Sequence, residues 1–67
     1  MNEIDIWRSA TTLIRQHGFT TGAFIASHEA GDRQRNGDAE GAAVWKQIED
    51  KIAELERIGY VPDAVKH

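Results

Sequence analysis

The stretch HEAGD sets His28 and Asp32 four residues apart, with Glu29 beside the histidine. On a helix, residues four apart share a face, so the two side chains could reach one ion. The spelling follows the outline of a zinc-protease helix, HExxH, with its second histidine replaced by an aspartate. Metal catalysis needs more than this pair: a third protein ligand, a second shell that holds the imidazole, and a sheltered cavity. The other histidines are His17, at the end of a helical stretch, and His67, at the C-terminus. The expected reading of HEAGD is therefore a solvated helix face with no metal and no other cofactor. Nucleophilic chemistry has no better footing. Thr11 and Thr12 carry hydroxyls, but no base is set near them by spacing, and bonding to preceding carbonyls or to solvent is the expected use. No catalytic residue emerges, and the chain is expected not to be an enzyme.

The elements that carry these residues are helical. The chain has 67 residues, near the lower size at which one core supports a fold. It has no cysteine, so disulfides, thiol nucleophiles and cysteine-based zinc sites are excluded. Eight Lys and Arg against eleven Asp and Glu give a net charge of −3, with the basic residues scattered, which argues against nucleic acid as a partner. No apolar run spans a bilayer, and the opening MNEIDIW is acidic where a secretion signal would be basic. A cytoplasmic protein without membrane contact is expected.

Three stretches carry helical periodicity, over about residues 2–17, 20–36 and 38–58. Ile6, Trp7, Ala10, Leu13 and Ile14 form one stripe, closed by Gly18, with Phe19 placed to contact Ile14. Thr20 is the expected N-cap of the second helix, with Phe19 and Phe24 as a hydrophobic staple. Its inner face should be thin: Ala23, Ser27, Ala30 and Gly31, together with Phe24. Asp38 caps the third helix, where Val44, Trp45, Ile48, Ile52, Leu55 and Ile58 make a continuous stripe. Gly59 ends it, Tyr60 is placed to contact Leu55, and Pro62 prevents resumption. The expected fold is all-α, a small three-helix bundle with short connections. A single domain covers residues 1–59, followed by an irregular tail over 60–67.

The segments IWRSATTLIRQHG, Ile6 to Gly18, and GDAEGAAVWKQIEDKIAEL, Gly37 to Leu55, resemble a family of short bacterial proteins of unknown function. Its pattern pairs W-x3-TxLIxxHG with GDxEGxAxWxxI. The resemblance covers most of the chain and implies a small all-helical bacterial protein, with no activity or site residue to transfer. Where this chain has Asp32, Arg33, Gln34 and Arg35, members have a more apolar end to the middle helix.

With so few large apolar side chains, some apolar surface is expected to be shared with a second copy or another protein. Trp45, Ile48, Ile52 and Leu55 fall near coiled-coil spacing and, with Trp7, are the candidate interaction surface. Close packing inside the chain is the competing use of the same ridge. The expected function is a helical protein–protein interaction module, as a homodimer or as an inhibitor or adaptor encoded on a mobile element. The alternatives are metal binding through His28 and Asp32, and an atypical helix-turn-helix regulator built on the residues around Asn36–Gly37. Against the latter stand Glu40, Glu49, Asp50, Glu54 and Glu56 on its would-be recognition helix.

Overall fold

A computed structural model describes residues 2–61, and residues 62–67 of the tail expected over 60–67, with Pro62 and His67, lie outside the described residues. The described chain is all-α, but it contains two helices and not the expected three. Helix α1 covers Glu3–Arg35 and α2 covers Ala39–Ile58. The difference arises at Gly18, which has φ 86° and ψ 173°, angles open in practice only to glycine. The glycine bends the helix, and helical structure resumes at once with no connecting residues and no cap at Thr20. A straight helix of 33 residues would run to about 50 Å, whereas the longest dimension of the molecule is 41 Å.

The bend brings the two arms of α1, residues 3–17 and 19–35, against each other. A Cβ placed on Gly22 would lie 3.4 Å from the backbone and Cβ of Leu13, nine residues earlier. Gly22 is buried there because only a small residue lets the second arm sit that close. This contact sets which face of the second arm turns inward. Gly22 and Ala26 are buried, with Ala23 packed beside them, while Ser27 and Phe24 are exposed. The staple between Phe19 and Phe24 is thereby corrected: Phe19 packs against the core, and Phe24 points to solvent.

Ile6, Ala10 and Ile14 of the first arm, Ala26 of the second, and Ile48, Ile52 and Leu55 of α2 make up the core. The spacing of four along the first arm makes a ridge that only α2 and the second arm can cover. Leu13, Phe19, Ala23, Val44, Trp45 and Tyr60 close its edges. Ile58, the last residue of the expected α2 stripe, is exposed instead.

Caps hold the ends. Asn2 accepts from the Asp5 amide at 2.9 Å, and Asp5 accepts in return from the Asn2 amide at 3.5 Å, a reciprocal capping box. At the other end of α1, the Gly37 amide donates to Gln34 O at 3.1 Å and the Asp38 amide to Arg33 O at 2.8 Å. These are the paired bonds of a Schellman motif, with Gly37 in the left-handed region at φ 80°. Asp38 then caps α2 by accepting from the Gly41 amide at 2.9 Å. The same motif closes α2, where Gly59 donates to Glu56 O at 3.2 Å and Tyr60 to Leu55 O at 3.0 Å.

Candidate functional site

His28 and Asp32 do share a face. His28 Nδ1 lies 3.4 Å from Asp32 Oδ2, with side chains 60 and 42 % exposed. Arg35 also engages Asp32. Among the described residues no group of three or more His, Cys, Asp or Glu is placed to hold a metal ion. His17 is exposed at the end of the first arm. Thr11 is buried, and its hydroxyl donates to the Arg8 carbonyl at 3.0 Å, the internal use expected for it.

The most connected polar cluster sits at the turn between the helices. Arg33 reaches Asp38 at 3.3 Å and Glu29 at 3.8 Å. The bond from the Gly41 amide, and next the Arg33 guanidinium, hold the Asp38 carboxyl below its ordinary value. Lys51, bonded to Glu54 at 2.9 Å, does the same for Glu54 on α2. Gly41 completes the turn: a Cβ there would overlap the Asp38 carboxylate and lie 2.8 Å from Arg33 Cδ. The GDxEG spelling thus reads as a turn that uses both glycines, one for its φ and one for space.

A carboxyl with a depressed folded pKa contributes stability above its unfolded pKa, and that contribution is lost as pH falls through the folded value. Asp38 and Glu54 therefore act together to weaken the fold below the ordinary carboxylate range. Asp38→Asn keeps a capping oxygen and loses the charge, so at neutral pH it should melt below wild type and above Asp38→Ala. At pH low enough to protonate Asp38, wild type and Asp38→Asn should converge. Thermal melts followed by circular dichroism at both pH values check the order.

The five residues of the expected interaction surface are divided by the fold. Ile48, Ile52 and Leu55 are buried in the core, and Trp45 is half-buried against it. Trp7 stays 44 % exposed, its ring meeting Tyr60 edge-on at 6.1 Å and 74°. Beside it Ile4 is 62 % exposed, and Glu3, Ile4 and Trp7 line a shallow, mostly apolar depression. Ile4 was legible only as part of MNEIDIW, three residues before Trp7; its i, i+3 relation to Trp7 was the available signal. A second groove, of about 370 Å³, runs between the start of α1 and α2, lined by Glu3, Ile6, Gln47, Asp50, Lys51 and Glu54. Its three carboxylates face one lysine, a poor surface for phosphate. Glu40, Asp50, Glu54 and Glu56 are exposed along α2, and Glu49 is half-buried.

No protein-family model, no curated protein and no solved structure matches the chain. No helix among the described residues is long and apolar enough to cross a membrane.

Proposed function

We propose that this chain is a small, non-enzymatic helical interaction module of the cytoplasm that associates with a second copy of itself. The observation that carries the reading is the pairing of Ile4 and Trp7, exposed side by side on the first arm, with the Tyr60 ring against Trp7. An exposed Trp with an aliphatic neighbour is the kind of anchor that protein interfaces use, because it removes a large apolar area from water at small entropic cost. Val61, next to Tyr60 in the chain, is exposed as well. A core built on few large side chains adds to the argument, since burial between copies would stabilise the folded state by mass action.

Sedimentation equilibrium over a wide concentration range tests it. Wild type should shift toward twice its monomer mass, and at the concentration of the wild-type midpoint Ile4→Glu, at an exposed position, should remain mostly monomeric with unchanged helicity. A wild type that stays monomeric into the hundreds of micromolar would remove the proposal.

A further inference from the structure

The bend at Gly18 is a hinge, and we infer that α1 can straighten there to form an arm-exchanged dimer, in which residues 3–17 of each copy pack on the partner's core. The inference does not depend on the Ile4–Trp7 surface. Three observations carry it. Helix lies directly on both sides of Gly18, so straightening needs a change at one residue and no linker to be rearranged. The first arm brings its own ridge, Ile6, Ala10 and Ile14, while Ala26, Ile48, Ile52 and Leu55 lie beyond the hinge. The core is thus divided at Gly18, and exchange re-forms the same contacts between chains. Nothing lies within 4 Å of a Cβ built on Gly18, so the bend is held by the backbone of that glycine and by the docking of the arm, with no neighbour clamped around it.

The closed and exchanged forms differ at the hinge. Closed, Gly18 takes φ 86° and ψ 173°; straightened, it takes helical angles, which every residue other than proline adopts more readily than glycine does. A second copy is the occupant because the surface that opening uncovers is already complementary to the arm that leaves it. The same contacts are intramolecular in the closed form and bimolecular in the exchanged one, so the closed monomer prevails when dilute and the exchanged dimer when concentrated.

Gly18→Ala separates the two forms. With space around the position, the substitution acts through the backbone alone: it strains the bend and favours the straight helix. In an Ile4→Glu background, which removes association through the exposed apolar surface, Gly18→Ala should dimerise at least about tenfold more tightly than Gly18. Carbodiimide coupling in a mixture of isotopically light and heavy chains identifies the exchange. Glu3 and Lys51 line one groove, so exchange brings light Glu3 to the groove that heavy Lys51 lines. Dimers carrying light–heavy Glu3–Lys51 links support the inference. A folded Gly18→Ala monomer, or a dimer with only light–light and heavy–heavy links, overturns it. Should Gly18→Ala fail to fold, the Ile4→Glu chain refolded at millimolar concentration decides: slowly dissociating, mixed-link dimers support exchange, and their absence overturns it.

Discussion

Ile52→Ala is expected to remove a large share of the stability of the fold. Ile52 and Ile48 are the largest fully buried side chains, and Ile52 has no exposed surface. Truncating such a side chain loses its transfer free energy and leaves a cavity, together about 2–5 kcal/mol. A domain of this length has a total of only about 3–10 kcal/mol, from typical stability per residue. Ile52→Ala should accordingly be partly unfolded without denaturant, or show a sharply lowered denaturation midpoint with a similar slope. Ile58→Ala is the matched control. Although Ile58 continues the same helical stripe, it is 67 % exposed, and its truncation should cost no more than about 0.5 kcal/mol. Equal losses at the two positions would place the core elsewhere on α2.

The second large effect is expected at Gly22, where size and not apolarity decides the outcome. A Cβ at this position meets Leu13 at 3.4 Å, ordinary van der Waals contact, so Gly22→Ala fits. It also gains helix propensity of about 1 kcal/mol relative to glycine, and its net effect should be neutral or stabilising. Gly22→Leu must push the arms apart, and overpacking of this kind costs about 1–3 kcal/mol. The loss should appear as a lower denaturation midpoint with a similar slope. A Gly22→Leu protein as stable as Gly22→Ala would show that the arms are not in close contact.

These predictions rest on features that the sequence reveals unequally. The α2 stripe, the Asp38 cap and the Gly59 stop all follow from local rules, because each involves residues within one or two helical turns. Gly18 was also visible as a break, but glycine permits both an end and a bend. Which occurs depends on the docking of Leu13 against Gly22, a contact between arms that no local rule contains. The same contact rotates the second arm, placing Gly22 and Ala26 inward and leaving Phe24 out, against its hydrophobicity. The candidate surface divides for a related reason. Helical spacing identifies Trp45, Ile48, Ile52 and Leu55 as one ridge, but whether a ridge is covered by its own chain is a tertiary matter. Here the first arm covers it, leaving Trp7 at its border with Ile4.

Asp38 belongs to two motifs at once, its amide closing α1 and its carboxylate opening α2. The junction therefore has no spare residue, and it acts as a phase setting for the molecule. Adding or deleting one residue there would turn α2 by about 100° about its axis, from 3.6 residues per turn. Ile48 and Ile52 would leave the core together, replaced by Gln47 and Lys51 on insertion or by Glu49 and Ala53 on deletion. The tolerance to insertion usual in surface connections is thus expected to be missing here, making this turn the position where a change in length, more than a change in residue type, is incompatible with the fold.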